Sequence, residues 1–599
     1  MSQINDFSLK IATVNGTGSA SANSLLMQAI FRMGIPVTGK NIFPSNIQGL
    51  PTWYEIRVSK DGYTARPPQI DLVVAINPST YDTDVATVRP GGYLLYDSSW
   101  PLPPELMRDD ITVLGVPFGQ MCVESFERDR DRTLLRNIAY AGALAALLEI
   151  DMDVIHATLN EKFGKKRALL DANFKAIRLG YDFARAHLAC PLPFHLERMN
   201  ATRDQVLMDG NTACGLGAVF AGATVGAWYP ITPATSLMEA FKEYCEKFRV
   251  DKDTGLNKYC IIQAEDELSA AGIVIGANWA GARAFTSTAG PGISLMQEFI
   301  GLAYYTEVPA VIFDVQRVGP ATGMPTRTQQ GDLLSLAYAS HGDTKHIVIF
   351  PANPEEAFYL TVAAFDLSER FQTPVFVATD LDIGMNDWMV KRLVWDDNYR
   401  PDRGKVLGAA ELEQVKTFSR YVDVDGDGIA ARTLPGVGAK GAYFVRGSGH
   451  NKFGAYTEDS IEYQEVLDRL AHKLRVAADH VPAPEFHLQP GAEIGIVSLG
   501  GCHAAVMEAI DILREQGVVA DYMRVRAFPF ANAIAEFLTR HPLTFVVEQN
   551  RDAQLRSLLA METGVARDRM TAVLDYNGLP LTASAVVVAV TTHLEGAIA

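Results

Sequence analysis

The sequence is poor in cysteine, in excess positive charge and in long apolar runs, and each shortage excludes something. Its 599 residues include six cysteines, at positions 122, 190, 214, 245, 260 and 502. No two are spaced as CxxC and no group of four resembles an iron–sulfur ligand set, so this chain is not expected to hold a cluster or any other metal by itself. Most of the thiols read as small buried apolar side chains. Lys and Arg number 53 against 70 Asp and Glu, a net charge of −17. Nucleic-acid phosphates need a basic face, which this balance argues against. The excess acid reads as a solvated surface, or as a docking face for a basic partner. The most apolar window, residues 139–150, falls well short of the roughly 20 residues that span a bilayer. The N-terminus lacks the basic start, apolar core and cleavage site of a signal peptide. A soluble, cytoplasmic protein without membrane or nucleic-acid partners is expected. Solenoid repeats and low-complexity tracts are also missing.

The remaining composition is ordinary for a globular protein, 48% apolar and 21% charged. The length is too great for one core and implies three or four domains. Strands are predicted at 9–15, 71–76, 92–96 and 111–116, with an Ala- and Leu-rich helix at about 134–149. Gly16-Thr17-Gly18-Ser19 follows the first strand and opens a helical pattern. Such a turn serves either structural tightness or a phosphate-like group at the helix start. The full fingerprint needs a third glycine where Ser21 stands. An NAD-dependent dehydrogenase built on this turn is disfavoured for that reason. Pro191, Pro193 and Thr202-Arg203-Asp204-Gln205 mark a connector. A second proline-bearing connector at 481–491 precedes a last α/β segment, with strands at 493–499, 521–525 and 543–548 and Gly500-Gly501 at the first turn.

The richest stretch is 229–343. A small-residue helix at 215–224 and a strand at 225–228 lead into Tyr229-Pro230-Ile231-Thr232-Pro233-Ala234-Thr235-Ser236. The following helix carries Ser236 and Glu239 at capping-box spacing. A strand at 259–263 runs into Glu265-Asp266-Glu267, three acids on one helix start, more than the helix dipole calls for. Another strand, 283–288, ends at Ala289-Gly290-Pro291-Gly292. A buried strand at 308–315 ends beside Gln316-Arg317. Arg317 could be a surface ion pair, but its place at a strand end beside a Gly-Pro turn favours anion binding. Strands at 347–350 and 375–378 complete this segment. In doubly wound α/β sheets these strand ends form one ligand-binding edge. The Ala- and Gly-rich helix body at 270–281 would allow close approach of a second subunit.

Two motifs are decoys. Asp423-Val424-Asp425-Gly426-Asp427-Gly428 imitates a calcium loop but places Leu434 where the bidentate Glu belongs. Gly426-Asp427-Gly428 with Asn451 imitates a diphosphate–magnesium motif, yet Pro435, Gly436, Gly438 and Gly441 break the helix it needs. The stretch 394–474 reads as irregular.

The segments YPITPATS, QAEDELSAAGIVIGA, TSTAGPG, QRVGPATGMPTRTQQGD and SHGD resemble the alpha subunit of 2-oxoacid:ferredoxin oxidoreductases, most closely the 2-oxoglutarate branch. The likeness runs through nearly the whole chain. It implies several doubly wound α/β domains: a gamma-like domain at 1–192, a pyrimidine-binding domain at 205–390, an irregular connection at 391–490 and a transketolase C-terminal-like domain at 491–599. Here Gly16-Thr17-Gly18-Ser19 and Gly49-Leu50-Pro51 replace the family's usual gamma-domain motifs. The resemblance implies thiamine diphosphate as cofactor. Glu267 would be the carboxylate on its aminopyrimidine ring, with Glu265 the second choice. Tyr229, Pro230, Ile231, Gly290 and Gly292 would shape the cofactor site, with Pro233 also fixing its loop. Thr232 and Arg317 would hold the substrate carboxylate, and Arg327 is a candidate for a second one. The resemblance further implies coenzyme A as acyl acceptor and ferredoxin as electron acceptor. A beta subunit would bring Mg2+ and a [4Fe–4S] cluster, in an αβ heterodimer or its dimer. His450, in a family-like GSGH segment, reads as a loop histidine rather than a catalytic one. Pyruvate or a branched oxo acid as substrate, and a non-catalytic scaffold subunit, are the alternatives.

Overall fold

Short runs rich in Val, Ile and Phe, each closed by glycine or proline, make the strands, and the Ala- and Leu-rich stretches between them make the helices. The computed structural model describes residues 3–46 and 49–598. It divides into two units, Met1–Met208 with Asn386–Arg392, and Asp209–Met385 with Leu393–Ala599. Both are parallel-dominated α/β structures, as expected.

The first unit is built on six strands in the order Val37–Ile42, Pro51–Ser59, Asp6–Val14, Ile70–Ala75, Val88–Asp97 and Thr112–Val116. The four predicted strands occur within a few residues of their expected bounds. Val37–Ile42 and Pro51–Ser59, which were not expected, form the antiparallel side of the sheet. A strand pair, Gln205–Met208 with Trp388–Lys391, brings the distant segment into this unit. The glycine turn is tight. Gly16 and Gly18 have φ of 85° and 86°, in the left-handed region that favours glycine. A Cβ on Gly18 would stand 2.7 Å from Leu134 Cδ2, and Asn137 Nδ2 donates to the Thr17 carbonyl at 2.7 Å.

The second unit holds a seven-stranded sheet in the order Cys260–Gln263, Val225–Trp228, Ala284–Thr288, Ala310–Gln316, Pro374–Asp380, Ile347–Ile349 and Ala527–Phe528. The first six are parallel, and the last, contributed by the C-terminal segment, is antiparallel. A five-stranded sheet follows, centred on Ile494–Leu499, Ala520–Val525 and Leu543–Glu548. One core joins the two sheets. Ile312, Val348 and Phe376 pack in the same buried cluster as Val497, Val525 and Val546, each worth about 1.5–3 kcal/mol of burial.

The stretch expected to be irregular contains a long helix, Ser460–Ala477, capped by Asp459. Its inner face carries Val466, Leu470, Leu474 and a fully buried Lys473. Lys473 Nζ meets Glu307 Oε2 at 2.8 Å, and Arg469 holds the same carboxylate. The acidic decoy loop is tied down from within the chain. Lys405 Nζ bonds Asp425 Oδ1 at 2.5 Å and Asp427 Oδ1 at 2.7 Å, while Asp423 accepts the N–H groups of Gly426 and Gly428.

Candidate active site

From Val225–Trp228 the chain passes to the neighbouring strand on one side, Cys260–Gln263, and then to the neighbour on the other, Ala284–Thr288. The strand order reverses here, and connections leaving the carboxyl ends diverge and open a crevice. Three motif loops leave these three strand ends: 229–234, 264–266 and Ala289 with the helix start behind it.

The first loop is pinned at both ends. Ile231 N–H donates to Thr235 Oγ1 at 3.1 Å, and Asn211 Nδ2, from the helix Gly210–Phe220, donates to the Pro233 carbonyl at 2.8 Å. The expected capping box of Ser236 and Glu239 does not form. The helix starts at Thr235 with Ala234 as its N-cap and no side-chain cap, so Ser236 lies inside the first turn, where its Oγ accepts from Asn211 Nδ2 at 2.8 Å. Tyr229 and Pro230 are exposed, and Thr232 is half-buried before a cis peptide to Pro233.

The three acids of the second loop part company. Glu265 is exposed. Asp266 is the helix N-cap, its Oδ1 accepting Ser269 N–H at 2.7 Å. Glu267 begins the helix Glu267–Trp279 and is only 6% exposed. Its carboxylate makes no hydrogen bond among the described residues. A buried carboxylate without a donor partner is costly. The helix start and Arg317 offset part of that cost.

The third loop explains its glycines by proximity. A Cβ on Gly292 would collide with Thr288 Oγ1 and stand 2.8 Å from Glu267 Cγ. One on Gly290 would stand 2.8 Å from an Asp332 carboxylate oxygen. Only a bare backbone lets this helix start lie against Glu267.

Arg317 follows the strand Ala310–Gln316 and is 8% exposed. Its Nη1 donates to the Thr232 carbonyl at 2.7 Å, so the arginine and the threonine loop are brought together. Its Nε has no hydrogen-bond partner among the described residues. Burial lowers the pKa of this guanidinium, while the charges of Asp332 and Glu267 oppose the fall. Arg327 lies beyond a turn in which Val318 N–H donates to the Arg327 carbonyl, and its Nη1 donates to Thr326 O at 2.8 Å. His450 is buried and stacked on Tyr421 at 4.0 Å, with both ring nitrogens near backbone carbonyls, a packing role.

Sequence reasoning missed Asp314 and Asp332. Asp314 lies fully buried in the strand Ala310–Gln316, and neither of its carboxylate oxygens has a hydrogen-bond partner among the described residues. The signal was available as an acid inside an otherwise apolar strand. Burial raises the pKa of both groups, that of Asp314 furthest. Gln330 was also missed. It is buried and ties the segment after Arg317 to the five-stranded sheet, through Nε2 to Leu499 O at 3.1 Å and through its own carbonyl to Asn550 Nδ2 at 3.0 Å.

Comparison with known proteins gives this geometry a class and then a family. Residues 216–397 match the thiamine diphosphate-binding domain of pyruvate flavodoxin/ferredoxin oxidoreductase, and residues 8–183 match pyruvate ferredoxin/flavodoxin oxidoreductase. These matches define a thiamine diphosphate-binding oxidoreductase. The alpha subunit of 2-oxoacid:ferredoxin oxidoreductase 2 from Aeropyrum pernix is 30% identical over 648 aligned residues, covering 98% of both chains. The 2-oxoglutarate synthase subunit KorA of Methanocaldococcus jannaschii is 34% identical over 333 residues, 55% of this chain and 85% of that one. A solved 2-oxoglutarate:ferredoxin oxidoreductase from Magnetococcus marinus, with 2-oxoglutarate, coenzyme A and succinyl-CoA bound, superposes with a TM-score of 0.88 at 26% identity, covering 98% of this chain and 99% of that chain. The chain belongs to the 2-oxoacid:ferredoxin oxidoreductases, enzymes with ferredoxin as acceptor, as an alpha subunit. No described helix is long and apolar enough to cross a membrane.

Proposed function

We propose that this chain is the alpha subunit of a 2-oxoglutarate:ferredoxin oxidoreductase, which oxidatively decarboxylates 2-oxoglutarate with coenzyme A to succinyl-CoA or runs the reverse carboxylation. The observation that carries the proposal is the buried, donor-free Glu267 facing Gly292, with Arg317 and the Thr232 loop alongside. Thiamine diphosphate fits this arrangement, since an unpartnered carboxylate is what a ring nitrogen of its aminopyrimidine requires. Bound there, the cofactor supplies a nucleophilic thiazolium carbon. Glu267 would hold the ring's proton at a carboxylate oxygen and fix its tautomer. Tyr229, Pro230, Ile231, Gly290 and Gly292 would shape the walls. Arg317 and the Thr232 hydroxyl would orient the carboxylate that departs as carbon dioxide, and Arg327 would meet a second carboxylate.

The segments 1–192, 205–390, 391–490 and 491–599 are read as gamma-like, pyrimidine-binding, connecting and transketolase C-terminal-like regions. A beta subunit would bring Mg2+, the diphosphate site and a [4Fe–4S] cluster that passes electrons to ferredoxin, in an αβ heterodimer or its dimer, in the cytoplasm. The 2-oxoglutarate-bound relative and the KorA relative favour this substrate. Pyruvate or a branched oxo acid is the second candidate, because several relatives are named only for 2-oxoacids. The test is to copurify the chain with its partner and assay viologen reduction with coenzyme A and 2-oxoglutarate, pyruvate or a branched oxo acid. We expect 2-oxoglutarate to have the highest kcat/KM, and replacing Arg327 with Met to raise its KM while leaving that of pyruvate nearly unaltered. No turnover with any oxo acid would favour a scaffold subunit instead.

A further inference from the structure

The carboxyl edge of a doubly wound sheet is its usual ligand-binding side. In the five-stranded sheet the chain itself occupies that edge. At the end of the strand Ile494–Leu499, Leu499 O accepts Gln330 Nε2 at 3.1 Å. Just past the strand Leu543–Glu548, Gln549 N–H donates to Gln330 Oε1 at 3.1 Å, and Gln549 O accepts Gln330 N–H at 2.9 Å. Beyond the strand Met570–Leu574, Gly578 O accepts Thr328 N–H at 3.1 Å. These three strands are neighbours in the sheet, so three adjacent strand ends hold residues 328–330.

That segment is the exit of a closed loop. Val318 N–H donates to Arg327 O at 3.0 Å, and Met324 N–H donates to Val318 O at 3.1 Å. Arg317 stands at the entry of the loop and Arg327 at its exit. The contact beside Arg327 is close. Gly578 is buried, with φ of 82°. A Cβ there would stand 3.1 Å from Arg327 Cβ, 3.4 Å from Arg327 Cγ and 3.2 Å from Met324 Cε. The arginine stem therefore runs along bare backbone. Met324 is exposed, and its terminal methyl can swing aside. Arg327 Cβ is fixed to the backbone and yields only if the loop moves. The turn opposite is braced. Asn577 Oδ1 accepts Leu579 N–H at 2.8 Å, and Gln549 Nε2 donates to Leu579 O at 2.9 Å.

We propose that the turn 575–579 sets the position of Arg327, and through it the preference for a dicarboxylic over a monocarboxylic oxo acid. Gly578 and Asn577 are positioning residues, and the proposal rests on the role given to Arg327 above. The turn delivers no group to the substrate. It fixes where the arginine stem begins, and a small shift there is carried along a long side chain to the guanidinium. A monocarboxylic oxo acid has no second carboxylate for Arg327 and is indifferent to the shift.

The test is steady-state kinetics of the complete αβ complex with 2-oxoglutarate and with pyruvate. Gly578→Ala should raise KM for 2-oxoglutarate by about tenfold, with kcat within about twofold and KM for pyruvate unchanged. Gly564→Ala is the control. Gly564 follows the helix Gln554–Thr563 in the same unit with φ of 71°, and among the described residues nothing lies within 4 Å of a Cβ placed on it. It carries the same left-handed strain without a push on Arg327, so it should lower the melting temperature and leave both KM values alone. Asn577→Ala keeps the glycine but releases the turn, and should raise KM for 2-oxoglutarate by about threefold. It decides the matter if Gly578→Ala does not assemble. If the variants at 577 and 578 change only the melting temperature, as at 564, the turn is merely structural and the proposal is overturned. Arg327→Met separates the two layers. A raised KM for 2-oxoglutarate in that variant alone leaves the Arg327 role standing and removes the turn's, whereas an unchanged KM removes both.

Discussion

Two turns in this chain look alike on paper and differ in kind. Gly16-Thr17-Gly18 and Ala289-Gly290-Pro291-Gly292 both close a strand and open a helix. At the first turn the glycines supply left-handed backbone, and the space that a Cβ would take on Gly18 is filled by Leu134. At the second neither glycine has positive φ. They are bare because Thr288, Glu267 and Asp332 press against them. A glycine turn therefore points to a ligand when polar groups with unfilled valences crowd it. One crowded by leucine is structural.

The sharpest way to break this contrast is Glu267→Gln in the complete αβ complex. We expect kcat to fall by about 10²–10⁴-fold, with the melting temperature held or raised, because a buried charge is removed. Glu265→Gln, on the exposed acid two residues earlier, should leave turnover within about twofold. Equal losses in both variants would dissolve the distinction between them. Gly292→Ala comes next. Its methyl must displace Thr288 or Glu267, and about a 100-fold loss of activity is expected, read at a temperature where circular dichroism shows an intact fold. Gly18→Ala should do the opposite, costing about 1–2 kcal/mol of stability from left-handed strain while kcat per folded molecule stays the same. Loss of activity in that variant without loss of stability would make the first turn a ligand site after all.

The mildest test concerns acid. His346 is fully buried in the second unit, its Nε2 2.9 Å from Ala339 O, and burial lowers its pKa from 6.5 to about 4. The fold favours the neutral ring, so its contribution is fully present above the unfolded value and is lost as pH falls from 6.5 towards 4. The loss should approach about 1.4 kcal/mol per pH unit within that window. Thermal melts of His346→Gln should show a shallower decline over the same range than the wild type.

Most strands of the second unit were legible because buried parallel strands read as plain apolar runs, and their ends fell within two residues of expectation. The antiparallel strands Val37–Ile42 and Pro51–Ser59 were not, because Thr38, Lys40, Glu55 and Arg57 interrupt the apolar pattern. The helix Ser460–Ala477 was hidden by a weak apolar face that includes Lys473, whose charge is met only in three dimensions by Glu307. The motif loops and Glu267 could be named from resemblance. The contact of Arg317 with the Thr232 carbonyl could not, since the two lie 85 residues apart. The meeting of Asp332 with the strand that carries Asp314, through its N–H to Gln316 Oε1, joins segments that no local pattern relates.

The antiparallel strand Ala527–Phe528 bears on how this polypeptide can be cut. It caps Ile347–Ile349, the last parallel strand of the larger sheet. A truncation that ends before it would leave Ile347–Ile349 with an open row of hydrogen-bonding groups, a template for aggregation. Shortened versions of the chain made for crystallisation or gene splitting should therefore either keep residues 527 and 528 or supply a substitute edge.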